Sequence, residues 1–316
     1  MHSSDVQFVP LNVPAADFPT VSLDSLDNLW FQVTGTLCNL TCTHCFISCS
    51  PDNRAFGFLN FDAVIAALEE SRPLGVKEYY FTGGEPFMHP RLLDMLEHTL
   101  AIGPATVLTN GTLLRDDAIR RLASLRDSSI YSLELRISID APDAAANDRI
   151  RGQGAFDKAM AGVRRLIAAG FLPIITMAQT WEDAEADAIY QRMRQVLLNM
   201  GYTRPRVKLL PSLKIGAEAL RSRGYRDDER VTKAMMAGFD ASILLCSNSR
   251  IITDRGVHVC PILIEQPDSV LGKTLQQAAA CDFPLRHQAC YTCWLHGAIC
   301  SNASTSAGLK ESPRAG

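Results

Sequence analysis

Leu29-Trp30-Phe31-Gln32-Val33-Thr34 is a short apolar run of strand type, and three residues beyond it comes Cys38-Asn39-Leu40-Thr41-Cys42-Thr43-His44-Cys45-Phe46, with three cysteines in eight residues. A helix candidate follows at 61–71, where Val64, Ile65 and Leu68 recur at helical spacing. Together they make one βα unit whose connecting loop carries thiols. Outward from this unit the alternation repeats five times, with strands at 78–82, 105–109, 132–140, 172–179 and 206–210. Helices are expected at 91–101, 116–125, 156–169 and 184–200, and a polar stretch follows the last strand. Parallel strands need crossovers of a dozen or more residues, so six such alternations imply an α/β fold with a parallel sheet and covering helices. Six units are two fewer than a full eight-fold barrel.

In barrel-like α/β proteins chemistry sits where strands end and βα loops begin. Four loops of this chain obey that rule. The cysteine loop follows the first strand, Thr82-Gly83-Gly84-Glu85-Pro86 the second, Thr109-Asn110-Gly111 the third and Ser138-Ile139-Asp140 the fourth. From about residue 240 the rhythm changes to a hairpin, 250–253 and 257–259 around Asp254-Arg255-Gly256, then a helix candidate at 271–280 and a run of cysteines. The expected organisation is an irregular lead-in over 1–28, the βα region over 29–240, a small cysteine-rich hairpin and helix module over 241–300, and a mobile Ser-, Ala- and Gly-rich tail over 301–316.

The chain has 316 residues, 47% hydrophobic and 21% charged, an ordinary folded composition. It carries no apolar run of membrane-spanning length, and no Lys or Arg precedes Arg54, so neither a membrane span nor the charged start of a signal peptide is expected. A net charge of −3 offers no general attraction to nucleic acid. The ten cysteines, clustered at 38–49 and 281–300, point to thiolate metal sites in a cytoplasmic protein rather than to a disulfide framework. Between Arg204 and Lys233 there are nine Lys or Arg against four acids, a solvated face that would favour an anionic substrate if it turned toward the barrel mouth.

Three thiolates in so short a loop can ligate three irons of a 4Fe-4S cube and leave the fourth open to an exogenous ligand. The loop by itself also admits a zinc site with His44 or Cys49 as fourth ligand. The combination is more specific. Cys38-x3-Cys42-x2-Cys45-Phe46 after a first strand, with Gly83-Gly84-Glu85-Pro86 after the second, resembles the radical S-adenosylmethionine superfamily. That resemblance implies a partial (β/α)6 barrel of TIM type, a 4Fe-4S cluster on Cys38, Cys42 and Cys45, and S-adenosylmethionine chelating the open iron. It implies that Gly83, Gly84 and Glu85 hold the methionyl amino group, that Ser138 and Arg151 hold its carboxylate, that Phe46 packs near the adenine and that Asn110 reaches the ribose. The fourth-strand segment departs from the family's common Asp-Gly-Pro, being Asp140-Ala141-Pro142 here, which leaves the choice between Arg149 and Arg151 less firm.

Cys246-x9-Gly256-x3-Cys260, a helix beginning Leu271-Gly272-Lys273 and Cys290-x2-Cys293 resemble the Twitch and SPASM extensions of the same superfamily. Six cysteines follow residue 240, one short of a SPASM pair of clusters, so the resemblance implies a Twitch with one auxiliary 4Fe-4S cluster on Cys246, Cys260, Cys290 and Cys293. Taken alone, Cys290-Tyr291-Thr292-Cys293 could also be half of a zinc knuckle.

The activity implied is reductive cleavage of S-adenosylmethionine to a 5′-deoxyadenosyl radical, fed by a one-electron donor such as flavodoxin or ferredoxin. Hydrogen abstraction from a small-molecule substrate and net oxidation would follow. Cys281 or Cys300 could instead return a hydrogen atom and make a redox-neutral epimerase. A peptide maturase is a further possibility, although only 37 residues precede Cys38, fewer than the usual peptide-recognition domain needs. The non-catalytic alternative is a structural zinc or electron-transfer protein.

Overall fold

The computed structural model describes residues 18–297, 299 and 300. The tail expected over 301–316 and the lead-in up to residue 17 lie outside the described residues. In chain order the elements are β1 (Thr20–Val21), β2 (Asn28–Gln32), α1 (Phe61–Ser71), β3 (Glu78–Thr82), α2 (Leu92–Thr99), β4 (Ala105–Thr109), α3 (Asp116–Ser128), β5 (Leu133–Ser138), α4 (Ala144–Arg151) and α5 (Ala155–Ala168). They continue as β6 (Ile174–Ala178), α6 (Ala186–Asn199), β7 (Arg206–Leu210), α7 (Ala217–Ser222), α8 (Lys233–Met236), α9 (Leu245–Asn248), β8 (Ser249–Thr253), β9 (Gly256–His258), β10 (Val270–Gly272), α10 (Leu275–Ala279), β11 (Phe283–Pro284) and α11 (Ala289–His296).

Strands β2 to β7 lie side by side in sequence order and all pair in parallel. The side-chain period of two divides each strand between two surroundings. Leu29, Phe31, Tyr79, Phe81, Val107, Leu135 and Ile137 pack in one core with the helices. Their neighbours Trp30, Tyr80 and Leu108 belong to a separate cluster with Cys38, Cys45 and Cys49. This is a partial barrel of the kind expected, with helices outside and a mixed polar and aromatic lumen.

The hairpin after residue 240 does not build a sheet of its own. Strand β8 pairs in parallel with β2, and β9 and β10 follow antiparallel, so that nine strands form one sheet in the order β10-β9-β8-β2-β3-β4-β5-β6-β7. A third core, with Leu245, Val259, Ile262, Leu263, Phe283 and Leu285, lies in this part of the chain. Two expectations change. The helix expected at 271–280 begins only at Leu275, because Thr274 caps it by accepting from the Gln277 N–H and the preceding residues 270–272 pair with β9. Within the lead-in, Thr20 and Val21 pair antiparallel with Pro284 and Phe283. Among the described residues no helix is long and apolar enough to cross a membrane.

Candidate functional site

The ends of β2 to β7 open into a cleft with an empty volume of about 1330 Å³. Cys38, Cys42, Cys45 and Cys49 all line it. Their loop is a short excursion closed at its base by the Leu37–Ser50 bridge and the Cys38 N–H donating to Ser50 O at 3.1 Å. Burial pushes the Cys38 and Cys42 thiols up to about 12 and about 11, with Arg151 working against burial at Cys42. The Cys49 thiol, hydrogen-bonded to Cys45, holds Cys45 down at about 6, and the Cys49 N–H donates to the same sulfur at 3.2 Å. Among the described residues no three His, Cys, Asp or Glu side chains gather as ligands of a single metal ion. The donors that the loop presents to the cleft are thiols, the ligand type of iron–sulfur clusters.

Gly83 and Gly84 also line the cleft, and their lack of a side chain is needed for the loop beneath them. A Cβ on Gly84 would stand 2.1 Å from Leu37 O, and one on Gly83 2.1 Å from Thr34 Oγ1. This contact is sealed by the Gly84 N–H donating to Gly35 O at 2.9 Å and the Glu85 N–H to Leu37 O at 3.1 Å. Glu85 lies behind this backbone. It is fully buried and absent from the cleft wall, and its carboxylate accepts from Thr109 Oγ1 at 2.6 Å, Asn110 N at 2.8 Å and Phe87 N at 3.0 Å. Burial nonetheless pushes its carboxyl up. From this segment it is the glycine backbone that faces the cleft, and the acid ties the second loop to the third.

Asn110 lines the cleft and bonds into the cysteine loop, its Nδ2 donating to Asn39 Oδ1 at 2.9 Å and approaching Cys38 Sγ at 3.8 Å. Its Oδ1 accepts from the Thr112 N–H at 2.9 Å. Ser138 ends β5 on the same wall, 3.5 Å from Thr176 Oγ1. Arg151 is the last residue of α4, a helix capped by Asp143. It is buried and lines the cleft, whereas Arg149 is exposed. Its Nε lies 2.6 Å from Asp140 Oδ2, which also meets His44 Nε2 at 3.0 Å. Burial acts to raise the Asp140 carboxyl, but the Arg151 guanidinium and then His44 hold it well below the usual range. Phe46 lines the cleft beside the cysteines.

A second pocket, with about 360 Å³ of empty volume, is lined by Cys246, Cys260, Cys290 and Cys293 amid Leu244, Val259, Ile262, Leu263 and Phe283. Cys290 and Cys293 are three apart on α11 and so share a helix face. Burial pushes Cys246 to about 12 and Cys260 to about 11, and raises Cys290 and Cys293 as well. Four thiols around one apolar pocket are a complete donor set for a 4Fe-4S cluster. The remaining two cysteines part company. Cys300 lines the large cleft, while Cys281 lines neither pocket and donates its thiol to Gln277 O at 3.3 Å at the end of α10.

Among the cleft residues to which the sequence alone gives no role are Trp30 and Arg136, and the buried Asp140 stands behind the cleft residues His44 and Arg151. Trp30 and Arg136 alternate with apolar neighbours on their strands, a period-two signal that marks the lumen face. His44 sits between two cysteines of the loop, and Asp140 was visible only as part of a motif.

The sequence profile of the Radical SAM superfamily matches residues 33–191. Among curated proteins the chain is similar to the antilisterial bacteriocin subtilosin biosynthesis protein AlbA of Bacillus subtilis, 29% identical over 143 residues, which is 45% of this chain and 31% of AlbA. It is also similar to the mycofactocin maturase MftC of Mycobacterium tuberculosis, 32% identical over 136 residues, 42% of this chain and 33% of MftC. The chain thus matches about a third of the length of each of these relatives. In solved structures the same fold occurs in Streptococcus suis SuiB bound to precursor peptide SuiA, with a TM-score of 0.63, 13% identity, and coverage of 82% of this chain and 66% of SuiB. It occurs too in anSMEcpe with bound AdoMet, with a TM-score of 0.56, 16% identity and 79% coverage of each chain. The profile match starts one residue after β2 and reaches into α6, so it takes in the cysteine loop and the ends of β3 to β6 that face the cleft, and on that ground this chain belongs to the radical SAM superfamily.

Proposed function

We propose that this chain cleaves S-adenosylmethionine reductively and removes a hydrogen atom from a small-molecule substrate in the cleft, with net oxidation assisted by an auxiliary 4Fe-4S cluster. Cys38, Cys42 and Cys45 would hold the first cluster, and Cys246, Cys260, Cys290 and Cys293 the second. Gly83, Gly84, Asn110, Ser138, Arg151 and Phe46 would surround S-adenosylmethionine, with Glu85 fixing the glycine backbone from behind. When bound, the first cluster and its cosubstrate supply an electron and a 5′-deoxyadenosyl radical. The chain's own work is to orient and to shield. Arg151 offers a guanidinium to a carboxylate, the glycine carbonyls accept from an ammonium, and the apolar lining of Leu40, Phe46, Leu108, Leu210 and Leu213 keeps water and stray hydrogen donors from the reacting carbon. A flavodoxin or ferredoxin in a reducing cytoplasm suits both thiol sets.

The observation that carries the oxidative reading is adjacency. Phe46 and Cys300 pack against both the core holding Cys38 and Cys49 and the core holding Cys246, Cys260 and Cys293, and Pro261, next to Cys260, lines the cleft. An electron leaving a substrate radical would have a short way to go. Anaerobic reconstitution is expected to give about eight irons and eight labile sulfides per chain. Dithionite with S-adenosylmethionine is expected to yield 5′-deoxyadenosine. Stoichiometric zinc without labile sulfide would overturn the reading.

Cys300 on the cleft wall favours a second reading, in which its thiol returns a hydrogen atom. Turnover in deuterium oxide separates the two: a thiol donor delivers solvent deuterium to carbon, whereas oxidation gives a product two mass units lighter. AlbA is a bacteriocin biosynthesis protein and SuiB is bound to a precursor peptide, which supports a peptide as the alternative substrate.

A further inference from the structure

On the floor of the cleft the guanidinium of Arg136 meets no carboxylate at contact distance among the described residues. Arg136, on β5, is 1% exposed and lines the cleft. Its Nη1 donates to the Cys300 carbonyl, and its buried Nε–H has no acceptor among the described residues. The indole of Trp30, also 1% exposed and on the cleft wall, stacks on Tyr80 with 4.0 Å between ring centroids, and its Nε1–H likewise lacks an acceptor. Glu78 is the nearby acid, and its two oxygens already accept from Tyr80 Oη at 2.5 Å and Thr106 Oγ1 at 2.7 Å. Lys208 stands on the lumen side of β7, two residues before the cleft residue Leu210, where burial and then the charge of Arg136 bring it down to about 8.

A guanidinium buried without an ionic partner is costly, and buried N–H groups without acceptors are rare. Both side chains line the same cleft, so a ligand seated there can supply the acceptor that the described residues do not. We propose that Arg136 and Trp30 form an anion subsite at the floor of the cleft and that the substrate presents a carboxylate to it. Arg136, Lys208 and Glu78 sum to one positive charge, which suits a monoanionic carboxylate better than a phosphate dianion. Arg151 is a different case, since Asp140 already neutralises it. The inference rests on the cleft being the substrate site and narrows what the substrate is.

Equilibrium dialysis of radiolabelled benzoate and benzamide tests it, on reconstituted protein with saturating S-adenosylmethionine so that the cosubstrate's own carboxylate cannot mislead. These probes share a shape and differ in charge. The wild type is expected to retain benzoate at least about tenfold more tightly than benzamide, the value of one charge-assisted hydrogen bond. Arg136→Met is expected to lose that preference and Arg136→Lys to keep part of it. Equal retention of both probes by the wild type overturns the subsite without any variant, and so does an undiminished preference in folded Arg136→Met. Displacement of benzoate by acetyl-trialanine but not by its amide supports a carboxylate on a peptide terminus, and displacement by acetate alone supports a small acid. 5′-Deoxyadenosine is measured on the same samples after dithionite is added as the electron source. Its absence beside a benzoate preference overturns the radical reading and leaves the subsite standing, and the reverse pattern overturns only the subsite.

Discussion

Asp140 and Arg151 form an ion pair at 2.6 Å in which the carboxylate side chain is 0% exposed and the guanidinium side chain 9%. The same Asp140 oxygen reaches His44 between two cysteines of the first loop, its other oxygen accepts from the Ala178 N–H at 2.9 Å, and the Thr43 N–H donates to Ile150 O at 2.8 Å. One buried acid therefore joins the cysteine loop, the end of α4 and the end of β6. Asp140→Asn leaves Arg151 buried without its counterion and is expected to cost about 3 kcal/mol in urea unfolding.

The pH dependence of that cost has a definite sign. Asp140 is held below its unfolded value in the folded protein, so its contribution is present above the ordinary carboxylate range and fades as pH falls through it. The stability gap between wild type and Asp140→Asn should be flat from neutral pH to about 5 and shrink below about 4. A gap that widened toward acid would contradict the assignment.

Glu85→Ala strips the acceptor from three donors, Thr109 Oγ1, Asn110 N and Phe87 N. A loss of about 3 kcal/mol or more is expected by denaturant titration, since each buried donor left without a partner costs about 1 to 3 kcal/mol. S-adenosylmethionine affinity should fall with it, through displacement of the glycine backbone, and an unchanged midpoint would remove Glu85 from its tying role.

Gly84→Ala drives a methyl to 2.1 Å from Leu37 O, against backbone that cannot yield cheaply. The cysteine loop should shift and iron content fall by about half, to about four per chain, if one cluster is lost. Gly75→Ala is the control, with φ +74° but nothing within 4 Å of the added Cβ, and should cost only about 1 to 2 kcal/mol and no iron.

Cys246→Ala and Cys293→Ala should each reduce iron toward about four per chain while sparing the first site, and Cys38→Ala should do the reverse. Cys281→Ser should leave both loads intact, because that thiol lines neither pocket and donates to Leu271 O and Gln277 O. Iron and sulfide assays with electron paramagnetic resonance of the reduced protein check each case.

The parallel strands and their helices were legible because a fold of this kind writes them locally, as apolar runs of strand length alternating with helical spacing. Strands at 78–82, 105–109 and 206–210 fall where the sequence places them. The cysteine loop and the glycine pair were legible for the same reason, being contiguous. What depended on distant partners was not. Nothing near Ser249–Thr253 says that it will pair with β2, and nothing in Gly83-Gly84-Glu85 says that the acid will turn toward Asn110 and not toward the cleft. Trp30 and Arg136 acquire meaning only when the sheet curves and sets them on one floor.

The pairing of β2 with β8 also sets a timetable. Asn28 to Phe31 must wait for Ser249 to Ile252, and Thr20 and Val21 for Pro284 and Phe283, before that side of the molecule can close. During synthesis the strands from β2 to β7 can assemble while the outer edge of β2 stays bare, an uncapped row of backbone donors and acceptors beside three reactive thiols. Contacts of such long sequence separation form late, so the first cysteine loop emerges from the ribosome long before the second thiol pocket can exist. Nascent chains stalled before residue 249 should therefore be the aggregation-prone and oxygen-sensitive species, and metal loading would proceed in the order in which the chain is made.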